Sequence, residues 1–348
     1  MASQLLKRNF VFLSLLVAGS IASAQAPQVP PAFKIGSIDF YGMSKLPVDA
    51  LRAALTFKEG DDIQYGSNAL AESRKRLEAL RGVAHARVEV VCCDAGRVLV
   101  YVGVEEPGAP TLTLREAPTG AARLSDEIMK AHADLDEALQ VAVREGRAQE
   151  DDSAGHALAT DPALRAVQAR FIRFAHGSEK SLREVLYGSS DAEHRSSAAE
   201  LLGYADDKQA VVDALVYAIS DPSDGVRNDA MRALLVFTNM TPGPNKTVPR
   251  VPYEPFVAML NSLIWSDRNK SSFALMQLTE SRDPQLLELL KREALRPLVQ
   301  IARWHSDGHA VAGFVILARI AGYTDQAATE AFRKHDKEPI ITAALKAK

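Results

Sequence analysis

The feature that most constrains this chain is an internal repeat. Moved by 32 residues, "DAEHRSSAAELL" from Asp191 falls on "SDGVRNDAMRAL" from Ser223. Arg195 lands on Arg227, Ala198 on Ala230, Ala199 on Met231, Leu202 on Leu234 and Tyr187 on Ile219. A period of this length, one helix pair long, is the mark of stacked helical hairpins. The small Ala198 and Ala230 let neighbouring helices approach, and Leu202 and Leu234 lie one turn on along the same face. An Asp/Ser/Pro cluster ends each outgoing helix, and Pro222 removes a backbone donor where no helix bond is wanted. Ser190 is expected to cap the next helix as a capping box with Glu193, and Ser223 to cap the second copy.

The chain of 348 residues suits about two domains. Its formal charge of −3 gives no basic excess that would point to nucleic acid. Lys7 and Arg8 precede an apolar run from Phe10 to Ala18, and Ala22-Ser23-Ala24 follows. That is the plan of a secretory signal peptide over residues 1–24, cut before Gln25, with an uncleaved membrane anchor as the alternative. The run is too short and polar for a confident transmembrane helix. A periplasmic destination is expected, with no membrane span left after cleavage. Residues 25–32 read as a proline-rich spacer.

Ahead of the repeats, residues 33–106 follow the order β-α-α-β-β. Ile38 and Phe40 alternate with Asp39 up to Gly42. Val48, Leu51, Leu55 and Phe57 form one helical stripe, and Leu70, Leu77 and Leu80 a second that stops at Gly82. Val88, Val90 and Cys92 then alternate on one strand, and Val98, Val100, Val102 and Val104 on the next, joined by a hairpin at Asp94-Ala95-Gly96. Cys92 and Cys93 are the chain's two cysteines. Neighbours on a strand point to opposite faces, so a bridge between them needs a local break. The expectation is one buried and one exposed thiol at a strand end; a strained vicinal disulfide or a redox role is the other reading.

"IDFYG", "ALTFKEGDDI", "LEALRGVAHARVEV" and "VLVYVGVEE" together resemble a POTRA domain, from the strand closing on Gly42 to the final strand ending in Glu. The resemblance implies an envelope module that binds partners by adding a strand to a sheet edge. No barrel-type series of strands follows it. Residues 107–122 read as a linker. From 123 to 348 the chain is expected to be helical. "DAEHRSSAAELLGYADD" and "DPSDGVRNDAMRALLVF" resemble HEAT repeats of the phycobilisome-lyase-like kind. Weaker copies are expected from Ser266 and from Gly308, where Gly322-Tyr323 echoes Gly203-Tyr204. In such repeats the arginine ties loops to acidic residues of the next repeat through partly exposed pairs. The fold expected is thus α/β plus all-α, a POTRA-like domain and then a HEAT-type α-solenoid.

Chemistry is sparse. There is no G-x-G-x-x-G, no phosphate loop, no H-E-x-x-H and no G-x-S-x-G. Two clusters could bind a divalent metal: His305, Asp307 and His309 beside Trp304, and Glu150, Asp151, Asp152 and His156, whose acids could instead pair with Arg144, Arg147 or Arg165. Both read more readily as helix-boundary and loop clusters, with Trp265 and Trp304 as packing anchors. No catalytic, cofactor-binding or metal residue is assigned, and no cofactor is expected. The function expected is a non-catalytic scaffold of the bacterial cell envelope, binding protein partners through a sheet edge and a concave helical face. The proline-rich stretch 237–256 is a further candidate contact. The alternative is a metal-dependent hydrolase or lyase using the His305/Asp307/His309 or the Glu150–His156 cluster.

Overall fold

The computed structural model describes residues 32–64, 67–110, 112–240 and 247–347. The signal segment 1–24, most of the proline-rich spacer and residues 241–246 of the proline-rich loop lie outside them. The chain divides into two compact units, each discontinuous in sequence. One takes Thr113–Met259 and Lys270–Leu286; the other takes, among the described residues, 32–112, Leu260–Asn269 and 287–347.

The second unit is built on a small sheet. Strands β1 (Ala32–Tyr41), β2 (Asp62–Gln64), β3 (His85–Asp94) and β4 (Arg97–Glu105) lie in the order β2-β1-β4-β3. β1 runs parallel to β4, and β3 antiparallel to it. The short strand β2 falls in the segment the sequence presents only as a turn. Helices α1 (Val48–Ala54) and α2 (Ala69–Glu78) cover one face. There Ile35, Ile38, Leu51, Leu77, Val98, Val100, Val102 and Val104 form a common core. Alternation in β4 predicts one buried face, but Leu99 and Tyr101 are buried too. The sheet is covered on both sides, as a run such as "VLVYVGV" permits. The β3–β4 turn uses Ala95 and Gly96, both at positive φ, which suits a two-residue hairpin loop.

The first unit is helical and repeat-like. It contains α3 (Asp126–Arg144), α4 (Pro162–Ala175), α5 (Glu179–Gly188), α6 (Ala192–Leu202), α7 (Lys208–Ala218), α8 (Asp224–Thr238) and α9 (Glu254–Met259). The long helices α6 and α8 pack on each other through Ala198, Leu202, Ala230 and Leu234, all fully buried. Tyr187 does not match Ile219, since one is exposed and the other buried. It meets Tyr217 edge-on instead, ring centroids 4.7 Å apart. Helices α10 (Trp265–Leu278) and α11 (Pro284–Glu293) each begin in one unit and end in the other. The sheet-bearing unit continues with α12 (Leu295–Ala302), α13 (Asp307–Ile320), α14 (Asp325–Arg333) and α15 (Glu338–Lys346).

The repeat has a local grammar that the structure spells out three times. Arg195 donates to the Ser189 carbonyl, Arg227 to that of Asp221 and Arg268 to that of Ser262, always six residues back. In the same loops the side chains of Ser189, Asp221 and Ser262 each accept the backbone N–H two residues on. The third copy therefore starts at Ser262, four residues before the Ser266 expected. It places Ser271, Ser272 and Leu275 where Ala230, Met231 and Leu234 stand in the second. Capping differs in detail. Asp191, not Ser190, caps α6, accepting from the Glu193 N–H at 2.9 Å. Ser223 occupies the cap position of α8 without a side-chain bond. Gly322 has φ of +79°, whereas Gly203 is right-handed helical at −61°, so the two Gly-Tyr pairs are not structural equivalents.

Candidate functional site

The second face of the sheet is closed by an aromatic node. Tyr101 stacks on Trp265 at 5.1 Å, meets Trp304 edge-on at 5.0 Å and shares a hydrogen bond with His309 Nδ1. The Tyr41 hydroxyl donates to the Leu263 carbonyl at 2.8 Å, with the Arg268 guanidinium over its ring. Burial raises both tyrosine pKa values well above the ordinary range, as expected of hydroxyls held neutral in an apolar setting. Glu89 of β3 accepts the Trp265 N–H at the start of α10, where a carboxylate meets the positive end of the helix dipole. Gln300 bonds both the Gly42 N–H and the Met43 carbonyl. Trp265 and Trp304 are thus packing anchors, each 1% exposed.

This node disperses the first candidate metal cluster. His305 pairs with Asp39 at 2.7 Å. His309 turns to Tyr101. Asp307 faces His335 and Lys337. Three residues close in sequence take three separate partners, because a helix begins between them.

Glu106, just past β4, is a structural hub that the sequence marks without giving it a role. Its carboxylate accepts the N–H groups of Ser44, Lys45 and Leu46 and the Ser44 hydroxyl. Burial works to raise its pKa, but these donors outweigh it and hold the carboxyl at about 2.

The second candidate cluster also divides. Glu150 lies in β5 (Glu150–Asp151), which pairs with β6 (Leu158–Ala159) as a small hairpin absent from the sequence reading. Glu150 pairs with Arg232 and accepts from Gln168, rather than meeting Arg144, Arg147 or Arg165. Asp151 takes Ser153, Asp152 takes Asn239, and His156 contacts Lys208. Among the described residues, no group of three or more His, Cys, Asp or Glu side chains is arranged to hold a metal ion.

Glu150 instead joins a network on one face of α6 and α8. Glu200 of α6 faces His132 of α3 at 3.1 Å and Arg232 of α8 at 4.0 Å. Ser196 donates to Asp229. Burial lifts the Glu200 carboxyl to about 7 and that of Asp229 to about 6, and depresses the His132 imidazole. Burial, with Arg232 adding to it, lowers Lys270 to about 7. Such shifts mark functional sites but also structural networks, and this one lies at a packed seam. At these positions α6 and α8 are covered by the chain's own α3 and β5.

The segment expected to be a linker is docked as well. The Arg115 N–H bonds the Ser220 carbonyl; its guanidinium pairs with Asp221 and lies 4.2 Å from the Tyr217 ring centroid. Gly120 bridges to Ser189, and a Cβ there would collide with the Gly188 carbonyl oxygen. Arg123 donates to Ser189 Oγ and the Leu124 N–H to His194. An extended strip of chain is read by the loops that begin successive repeats. Asp221 also receives Arg195 in two bonds of 2.8 and 2.9 Å. The pair is buried, not partly exposed as the resemblance implied.

What remains open is the edge of the sheet. β3 runs for ten residues and pairs, among the described residues, on one side alone. Neighbouring strands cover the other edge only with the three-residue β2.

No family model matches the chain, and no curated protein matches it. Among solved structures, it is similar to a computationally designed armadillo repeat protein made for modular peptide recognition. That match has a TM-score of 0.37 and 18% identity and covers 54% of this chain and 94% of the other.

Proposed function

We propose that this chain is a non-catalytic, protein-binding scaffold exported to the bacterial cell envelope. Its sheet module is of POTRA type and takes a partner's extended segment along β3. Its helical unit is of HEAT type and holds the repeat loops in register for a second contact. The observation that carries the reading is the sheet: both faces are buried, so what it has left to offer is the backbone of β3. The backbone that an edge strand turns away from its neighbour is a template for another strand, although in β3 the Ala86 N–H already meets the Glu78 carboxylate. The sequence of Lys7, Arg8, the apolar run and Ala22-Ser23-Ala24 supports export. Among the described residues, no helix is long and apolar enough to cross a membrane.

Position-specific photo-cross-linking in the native cell tests this. A photoreactive residue at exposed His85, which opens β3, should capture a partner protein. The same probe at exposed Arg292, on α11, should not. Equal capture from both positions would remove the edge from the proposal.

A further inference from the structure

Cys92 and Cys93 are joined by a disulfide, as the alternative reading of the sequence had it; the expected pair of one buried and one exposed free thiol is not found, Cys93 being exposed and Cys92 half-buried. The β3–β4 register breaks at this point. Val91 stands opposite Leu99 and Asp94 opposite Arg97, so two residues of β3 face Val98 alone. That is a β-bulge. In a regular strand neighbouring side chains point to opposite faces, so a bond between adjacent cysteines and an unbroken ladder exclude each other. The hairpin has an alternative without the bulge. If the ladder continued from Val91–Leu99, Cys92 would face Val98 and Cys93 would face Arg97. Asp94, Ala95 and Gly96 would then form a three-residue loop, another common hairpin connection.

We propose that Cys92–Cys93 is a reversible redox site that sets the register of the β3–β4 hairpin end and with it the usable length of the β3 edge. Oxidised, the bulge interrupts the edge three residues before its end; bulges are a recognised way of blocking strand addition. Reduced, the ladder runs through and the edge lengthens. The reductant is a dithiol. One of its thiolates attacks Sγ of the exposed Cys93, breaking the S–S bond, forming a mixed disulfide and releasing Cys92 as a thiolate that takes up a proton. The second thiolate of the reductant displaces Cys93, which is protonated in turn. Two electrons pass to the protein, and the reductant leaves as its own disulfide.

The consequence for partner binding rests on the edge reading above; the redox step and the register change do not. The test uses the full chain without a partner. Intact-mass analysis of the air-equilibrated protein should find no alkylatable thiol, and two after dithiothreitol. Hydrogen exchange resolved to single amides should then show the Cys92 and Cys93 region slowing by roughly five- to tenfold on reduction, as amides enter the ladder. The Cys92→Ser/Cys93→Ser variant should show the slow pattern with or without reductant. Two free thiols in the air-equilibrated protein would overturn the proposal, as would exchange that is unchanged or faster on reduction. If exchange changes as stated but β3 captures nothing in cells, the redox site stands and the edge-binding reading falls.

Discussion

At Arg195 and Asp221 an ion pair lies with 2% and 0% of its side chains exposed. Burying two charges is costly, and such a pair holds because two parallel bonds, the Ser189 carbonyl accepting from Arg195 and the Ser223 N–H donating to Asp221 satisfy it. Removing one partner strands the other. Arg195→Ala should destabilise the chain by about 3 kcal/mol in urea unfolding, the lower end of the range because Arg115 still faces Asp221. Replacing both Arg195 and Asp221 with leucine should cost clearly less than the sum of the single changes. Glu106 gives a residue-scale prediction with a pH signature. Its carboxyl titrates at about 2 in the folded chain against 4.5 ordinarily, so the folded state binds that proton less readily. Its stabilisation is full above the ordinary value and is lost as pH falls toward 2. Glu106→Gln should be less stable than the parent chain by roughly 1.5–3 kcal/mol at neutral pH, and urea unfolding should show that gap closing in acid.

At the scale of elements, close approach is what the sequence conceals. Gly103 of β4 lies where an alanine Cβ would stand 2.6 Å from the Leu263 carbonyl oxygen and 2.8 Å from the Tyr41 ring. Gly103→Ala should cost about 1–3 kcal/mol and change the tryptophan fluorescence, since Trp265 follows Leu263 by two residues. The seam of α3 on α6 and α8 behaves oppositely to Glu106 with pH. Asp229 is raised to about 6 by burial, so the folded chain takes up its proton first. Its contribution is whole at low pH and fades as pH rises through about 6. Asp229→Asn should therefore gain on the parent chain between roughly pH 4 and 7, read by unfolding at the two ends.

The first two copies of the helical repeat were legible because their arginines, small residues and leucines recur at one spacing, and small residues at a helix contact have few substitutes; the third copy follows at a longer interval. The strands of β1, β3 and β4 were legible from period-two alternation. The second buried face of the sheet was not, because Tyr101 meets Trp265, Trp304 and His309 and Gly103 meets Leu263, residues more than a hundred and fifty positions away in the chain. The hairpin of β5 and β6 was invisible for a similar reason: two residues per strand carry no period, and Gln168 and Arg232 supply what holds it. The candidate metal residues are close in sequence, but a helix starting at Asp307 separates the first set and the β5–β6 hairpin turns the second toward different partners.

For the molecule as a whole, the proposed recognition rests on the long edge strand β3, which among the described residues pairs on one side alone. A partner cross-linked through β3 can be co-purified and its complex compared with the free chain by hydrogen exchange. The outward-facing amides between His85 and Val91, ahead of the bulge, should be protected about tenfold or more in the complex, as a strand added to the edge would bond them. Unchanged exchange along β3, with new protection confined to the helices, would contradict it.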